Sequence, residues 1–234
     1  MVRMSSARAA SKSKVAPSRE GSAPADSEVE VSQAKAPATR RGRDTRDKLL
    51  GAARKIFSRT AFADVRVIDI TQAAGVAAGT FYTYFDSKEQ IFRVIAARVL
   101  KEMSDAPKGR PNDAKRGIAE RVEAATRRYF ASVHENARIA RSIEEIQARE
   151  SGVGESRHEM LRLGVHRIER WILKLQERGI CDPEIAPWPT AVALHAMNVS
   201  VAYDHLVHRD APEETELLLK ATTNIWCSTL GIHH

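Results

Sequence analysis

The chain has 234 residues, of which 29% are charged and 43% hydrophobic, and its formal net charge is +7. That length suffices for one or two domains with buried cores, and no apolar run reaches the ~18 residues that a membrane span requires. The two cysteines lack metal-binding spacing and the N-terminus lacks the apolar segment of a secretory signal, so we expect a cytoplasmic globular protein.

The excess positive charge lies at one end of the chain. Residues 1–43 contain nine Lys and Arg against four Asp and Glu, residues 44–105 contain ten against eight, and residues 106–234 contain eighteen of each. This asymmetry indicates a polyanionic partner that binds the first part of the molecule only.

Residues 1–43 contain no aromatic residue and are rich in Ala, Ser, Pro, Lys and Arg, so we predict a disordered basic arm. Arg40, Arg41 and Arg43 surround Gly42 at its end. Two interpretations stay open for them: insertion into a DNA minor groove, or a solvated tail that adds only non-specific attraction.

Helical periodicity begins at Thr45. One apolar stripe contains Leu49, Leu50, Ala53, Ile56 and Phe57, and a second, shorter one contains Val67, Ile70, Ala73 and Ala74. Gly75 is expected to end the second helix, and Asp86 or Ser87 is expected to cap a later one.

The stretch "SDAPKGRPND" marks a break between two segments. Beyond it we predict helices near residues 113–135, 137–150, 154–179, 188–208 and 213–230, with prolines between the later ones. No useful strand-like alternation occurs. The fold class is therefore predicted to be all-α, with an N-terminal domain at 44–105 and a larger helical domain at 106–234.

Four of the thirteen aromatic residues lie in five positions within "GTFYTYFDSKE". On a helical wheel Phe81 and Phe85 share a core face, together with Ala78. The opposite side carries hydroxyls and an aromatic ring, with the last residue at the border: Thr80, Tyr82, Thr83 and Tyr84.

Two short helices around a tight Gly-Val turn are typical of a helix-turn-helix, whose second helix enters the major groove of double-stranded DNA. Thr methyls, Tyr rings and hydroxyls can contact bases or phosphates there. Lys88 lies in the first turn of the following helix, where a phosphate is favoured.

The segment "TRDKLLGAARKIFSRTAFADVRVIDITQAAGVAAGTFYTYFDSKEQIF", residues 45–92, resembles the DNA-binding region of the TetR/AcrR family of bacterial transcriptional regulators. "DITQAAGV" and "GTFYTYFDSKE" are its most specific parts. The resemblance implies a recognition helix at Ala78–Tyr84 and a C-terminal domain that binds ligands and dimerises. It implies DNA contacts from Gly79, Thr80, Tyr82, Thr83, Tyr84 and Lys88, to which we add Arg43.

Three positions depart from the family pattern. Arg66 replaces the usual Ser or Thr cap, so we expect Asp64 to cap the second helix and Arg66 to contact a phosphate. Ala77 replaces a capping Ser, which typically costs about 1 kcal/mol. Ala61 replaces a Gly and tolerates positive φ less well.

The last two predicted helices carry apolar residues on more than one face, so each needs partners on two sides. A two-fold homodimer that pairs them fits the family. It also places two recognition helices ~34 Å apart for a palindromic site.

"TAVALHAMNVS" and "NIWCSTLG" are similar to helices of a mycobacterial repressor of that family, which has a long, mostly apolar ligand tunnel. This similarity implies that His195, Asn198 and Trp226 line a pocket, the alternative being that His195 and Asn198 are satisfied polar groups in a helix interface. His205 and His208 have a spacing that can bind metal, but helix-end histidines are more often exposed or capping, and we predict no metal site.

The favoured function is a repressor that binds DNA as a dimer and is released by a small, largely apolar effector. The alternative is an architectural DNA-binding protein without sequence preference. No Walker loop, nucleophile elbow or zinc-hydrolase helix occurs, so we expect neither an enzyme nor a cofactor.

Overall fold

The computed structural model describes residues 39–110, 113, 116–147, 151–209 and 211–232, and at 147 and 151–156 it describes the backbone alone. The rest of the predicted arm, residues 1–38, lies outside this range. The described residues form helices and connecting turns without a strand, so the all-α prediction is confirmed.

The N-terminal part of the described chain consists of four helices and one short 3₁₀ turn. They are α1 (Arg40–Phe57), the 3₁₀ turn Phe62–Asp64, α2 (Val67–Ala74), α3 (Ala78–Tyr84) and α4 (Lys88–Asp105).

The C-terminal part of the described chain contains five helices. They are α5 (Ile118–Glu135), α6 (Ala137–Gln147), α7 (Ser151–Glu177), α8 (Pro187–Ala202), which continues as the π-helical turn Tyr203–His208, and α9 (Thr215–Thr229), which follows the 3₁₀ turn Pro212–Glu214.

Helix α1 starts earlier than predicted. The Thr39 hydroxyl accepts a hydrogen bond from the Gly42 amide at 3.1 Å, so the helix begins at Arg40. Arg40, Arg41 and Arg43 are therefore in its first turns rather than in a flexible arm, because a hydroxyl at the N-cap satisfies an otherwise unpaired amide.

The start of α4 follows the second of the two predicted caps. The Ser87 hydroxyl accepts from the Gln90 amide at 3.2 Å, and the Gln90 side-chain oxygen accepts from the Asp86 amide. Ser87 and Gln90 together satisfy two amide donors near the start of the helix.

The core of the first four helices is aromatic. The rings of Phe57 and Phe92 meet edge to face at 5.0 Å, and Phe62 packs against both. Phe81 and Phe85 are fully buried in the same cluster, which confirms the core face predicted for them. Ala78, which we placed on that face, is exposed.

A second cluster joins α7, α8 and α9. Ile172, Leu175, Leu194, Trp226 and Leu230 are buried within it. Helix α4 extends from the aromatic core to the C-terminal helices, where it packs along α7. Helix α4 therefore belongs to the first cluster and packs on α7, which carries part of the second.

Candidate DNA-binding surface and cavity

The turn between α2 and α3 is set by one glycine. Gly75 has φ 66° and ψ 37° and ends α2 in the left-handed conformation. Its amide donates to the Gln72 carbonyl, and the Val76 amide donates to the Thr71 carbonyl at 3.0 Å. This closure turns the chain sharply, so that only Val76 and Ala77 separate Gly75 from the start of α3.

Helix α3 has one buried side and one accessible side. Phe81 is fully buried, whereas the Tyr82 side of the helix is open, with Tyr82 itself 56% exposed. Gly79 and Thr83 are exposed, and Thr80 and Tyr84 are partly buried. The five residues predicted on this helix thus include three that are exposed.

Two of the three positions that depart from the family pattern, Ala77 and Ala61, differ in their structural effect. Ala77 precedes α3 without a side-chain cap, as predicted. Ala61 has φ −59° and ψ 144°, so no left-handed conformation is required of it and the expected strain does not arise.

The predicted cap of α2 is wrong. Asp64 ends the 3₁₀ turn, and the N-cap is Arg66, whose amide donates to the Asp69 carboxylate at 2.9 Å. The Arg66 guanidinium pairs with the same carboxylate at 2.8 Å and is largely exposed. This pair lowers the pKa of Asp69 below its ordinary value, chiefly through the side-chain hydrogen bond. A phosphate contact by Arg66 stays a prediction.

Lys88 has protein partners. Its ammonium donates to the carbonyls of Phe62 and Val65, each at 2.8 Å, and lies 3.4 Å from that of Ala63. It also lies 4.3 Å from the centre of the Phe62 ring. The lysine therefore ties the start of α4 to the turn before α2, and its phosphate contact stays a prediction.

One ion pair joins α1 to the connecting helix. Arg54 donates to both carboxylate oxygens of Glu102 at 2.6 Å, and at 3.3 Å to the side-chain oxygen of Asn136, at the junction of α5 and α6. Bidentate guanidinium–carboxylate pairs fix relative orientation as well as distance. The pair therefore links the C-terminal part of α4 to α1.

A cavity of about 330 Å³ lies between α4, α5, α7, α8 and α9. The three residues predicted for a pocket, His195, Asn198 and Trp226, are all on its wall. The indole N–H of Trp226 donates to the side-chain oxygen of Asn198 at 3.1 Å. That bond holds both side chains in place, and ligand contacts by the three residues stay predictions.

Most residues of the cavity wall were not predicted from the sequence. Helices α5 and α7 contribute aromatic and sulfur-containing side chains as well as guanidinium groups, among them Tyr129, Met160, Trp171, Arg121 and Arg167. Neither helix carries a motif, and only packing shows which of its faces meets the cavity.

His195 is held tightly against α7. A Cβ atom at Gly164 would lie 2.5 Å from Cε1 of the imidazole ring, so only glycine leaves room for that ring. Nε2 of the ring is buried and forms no hydrogen bond with the part of the chain that is described. Burial, and next the charge of Arg167, lowers the pKa of His195, which favours the neutral ring.

The two histidines considered for a metal site contact different carboxylates. His205 is buried, with Nδ1 3.9 Å from Glu214, whereas His208 binds Glu144 at 2.8 Å. Among the described residues no group of three or more His, Cys, Asp or Glu side chains could hold a metal ion. Within the same range, no helix is long and apolar enough to cross a bilayer.

Residues 49–95 match the family model of "Bacterial regulatory proteins, tetR family". The HTH-type transcriptional regulator EthR of Mycolicibacterium smegmatis is 24% identical over 209 residues, which cover 86% of this chain and 94% of that protein. The uncharacterized HTH-type transcriptional regulator YvdT of Bacillus subtilis is 39% identical over 64 residues, covering 27% of this chain and 33% of that protein.

Solved structures share the fold. A TetR-family transcriptional regulator from Mesorhizobium loti superposes with a TM-score of 0.64 at 20% identity, covering 81% of this chain and 98% of that one. The fatty acid degradation regulator FadR of Bacillus halodurans does so with a TM-score of 0.61 at 18% identity, covering 81% and 97%.

Proposed function

We propose that this chain, which belongs to the tetR family of bacterial transcriptional regulators, is a repressor that binds a palindromic operator as a dimer. A small, largely apolar effector releases it by filling the cavity. One observation carries the proposal: a short helix with a buried Phe81 and an exposed Tyr82 occurs in the same chain as a cavity of about 330 Å³. Membership of this family makes the protein a DNA-binding regulator of transcription.

The DNA contacts are assigned to α3. The Tyr82 ring and the Thr83 side chain lie on its accessible face and can reach base edges and thymine methyls. Gly79 has open space around its Cβ position, which lets the helix approach a groove closely. Thr80 and Tyr84 lie at the borders of the face and are assigned to bases or phosphates.

Phosphate contacts are assigned to three basic residues outside α3. Arg43 lies exposed in the first turns of α1, and the Arg66 guanidinium remains largely exposed although it pairs with Asp69. The ammonium of Lys88 faces backbone carbonyls, so a phosphate contact requires that it exchange one of these partners. We therefore expect the weakest contribution from Lys88.

The dimer interface is assigned to α8 and α9. Each of these helices buries one side in its own domain and leaves large apolar side chains exposed on the other. Trp188 and Val192 of α8 are 43% and 40% exposed, and Leu217 and Ile225 of α9 are 71% and 48% exposed. An isologous pairing of these faces covers them and places two copies of α3 on one side of a duplex.

Release is assigned to α4, because this helix belongs to both parts of the molecule. Phe92 packs in the aromatic core beneath α3, while Leu100 and Met103 line the cavity. Glu102, beside them, holds Arg54 of α1. An effector that fits the cavity better when α4 is displaced favours a spacing of the two α3 helices that no longer matches the groove.

The test selects duplexes from a random DNA pool with the full-length protein and then measures Kd for a selected and a scrambled duplex. We expect a palindrome that binds two chains. Tyr82→Ala is expected to lower the preference for the selected duplex about tenfold, as loss of a base contact worth about 1–3 kcal/mol would do. Tyr82→Phe, which keeps the ring, serves as the matched control.

Failure to enrich any palindrome, with equal affinity for both duplexes, would favour the architectural alternative. Unchanged preference in Tyr82→Ala would remove the assignment to α3.

A further inference from the structure

The cavity wall carries more positive than negative charge. Its described residues include five cationic side chains and one carboxylate: Lys108, Arg121, Arg128, Arg157 and Arg167, against Asp113. The rest of the wall is mainly aromatic and aliphatic. A purely apolar ligand would leave these cations facing apolar surface, which is costly for charged groups.

The acidic partners of these cations are too few. Asp113 pairs with Arg128 at 3.0 Å. Asp105, just behind the wall, lies 2.8 Å from Lys108 and 3.8 Å from Arg167, so one carboxylate faces two cations of the cavity.

A fourth cavity cation, Arg157, pairs with a carboxylate of α6. Glu144 pairs with Arg157 at 3.3 Å, and the same carboxylate binds His208. Among the described residues, Asp105, Asp113 and Glu144 thus pair with four of the five cavity cations, and three carboxylates against five cations leave an excess of two positive charges.

Arg121 accounts for one part of this excess. It is partly buried in the first turns of α5, and its side chain forms no hydrogen bond or ion pair with any residue that the structure describes. Because Arg121 lines the cavity, the unused donors of its planar guanidinium are available to a ligand there, and they suit a carboxylate or sulfonate.

Two further groups on α7 and α8 favour an anion. Arg167 is bound to Ser104 and lies 3.8 Å from Asp105, and burial is the main cause that lowers the pKa of its guanidinium. The buried Nε2 of His195 has no hydrogen-bond partner among the described residues. An acidic oxygen in the cavity would add negative charge near Arg167 and, with the ring proton on Nε2, would accept a hydrogen bond from His195.

We propose that the cavity binds an amphipathic organic anion, whose acidic group is held by Arg121 and whose apolar body lies against Trp171 and Trp226. The volume of about 330 Å³ fits one small molecule, near the lower end of the roughly 300–1,000 Å³ typical of such sites. This proposal rests on the proposed function only where it identifies the ligand with the effector. The preference of the cavity for an anion does not depend on the proposed function.

The experiment compares two dyes with the same apolar skeleton. 8-Anilinonaphthalene-1-sulfonate carries a sulfonate, and N-phenyl-1-naphthylamine does not. We expect the full-length protein to bind the sulfonate at least about tenfold more tightly in fluorescence titrations, because a charge-assisted contact in a partly buried site contributes about that much.

Three variants locate the contact. Arg121→Gln is expected to weaken binding of the sulfonate about tenfold or more and to leave the neutral dye within about twofold. Arg121→Lys should retain part of the affinity because it keeps the charge. Arg178→Gln removes an exposed arginine that does not line the cavity, so it controls for net charge. Arg121 has no protein partner among the described residues to lose, so these variants are expected to fold.

Equal binding of the two dyes, no binding of either, or equal effects of Arg121→Gln and Arg178→Gln would each overturn the assignment. Adding the sulfonate to the protein–operator complex then tests the proposed function separately. If the cavity prefers the sulfonate but operator affinity does not change, release by such a ligand is refuted, whereas the charge preference of the cavity is upheld.

Discussion

Replacing Gly164 by Ala puts a methyl group against the imidazole of His195. The new Cβ would lie 2.5 Å from Cε1 and 2.8 Å from Nε2, whereas non-bonded carbon atoms prefer about 3.5–4.0 Å. The ring must therefore move by about 1 Å. The off-rotamer strain costs about 0.5–1.5 kcal/mol, and overpacking generally costs about 1–3 kcal/mol.

An opposing effect comes from the helix itself. Gly164 lies inside α7, where Ala is favoured over Gly by about 1 kcal/mol. Gly164→Ala alone is therefore expected to lower the free energy of unfolding by about 1 kcal/mol. In a His195→Ala background the imidazole ring is absent, so Gly164→Ala should raise the free energy of unfolding by about 1 kcal/mol.

The assay is urea unfolding of the four proteins at one protein concentration, since the proposed dimerisation would make apparent stability depend on concentration. The double-mutant cycle is expected to show a coupling energy of about 2 kcal/mol, well above the ~0.5 kcal/mol that non-interacting sites show. If Gly164→Ala has the same effect in both backgrounds, the close approach of α7 and α8 at His195 is refuted.

Lys88→Met keeps most of the stem but removes the ammonium that binds the carbonyls of Phe62 and Val65, so the free energy of unfolding should fall by about 1–3 kcal/mol. The control Lys55→Met, at an exposed position of α1, should change the free energy of unfolding by less than about 0.5 kcal/mol. Equal urea midpoints for the two variants would contradict a stabilising role of the Lys88 hydrogen bonds. Because the pKa of His195 is lowered from 6.5, the unfolded chain binds a proton near that pH that the folded chain does not. Stability should thus be lost as pH falls through 6.5 toward the folded pKa, and an unchanged pH slope in His195→Ala would contradict this.

Local periodicity was enough to predict the helices of this protein. Apolar spacing and the turn at Gly75 predicted α2 and a helix after it, and the bounds Ala78–Tyr84 that the family resemblance implied for α3 are those observed. The inward direction of Phe81 and Phe85 followed from the same spacing, because residues four apart share one face of a helix. Errors occurred at boundaries, as at Arg40, where one side-chain cap decides whether the helix extends.

The partners of individual side chains were decided by packing between distant parts of the chain. From the sequence, Lys88 was predicted to contact a phosphate. In the fold its ammonium donates to the carbonyl of Phe62, which is 26 residues away in the chain. The cavity likewise depends on Gly164 and Arg121, which belong to no motif. Helical periodicity reports which face of a helix is buried, but it carries no information about which other helix meets that face. The short helix α3 was therefore predictable from the sequence, whereas the charge of the cavity depends on how α4, α5, α7, α8 and α9 pack against one another.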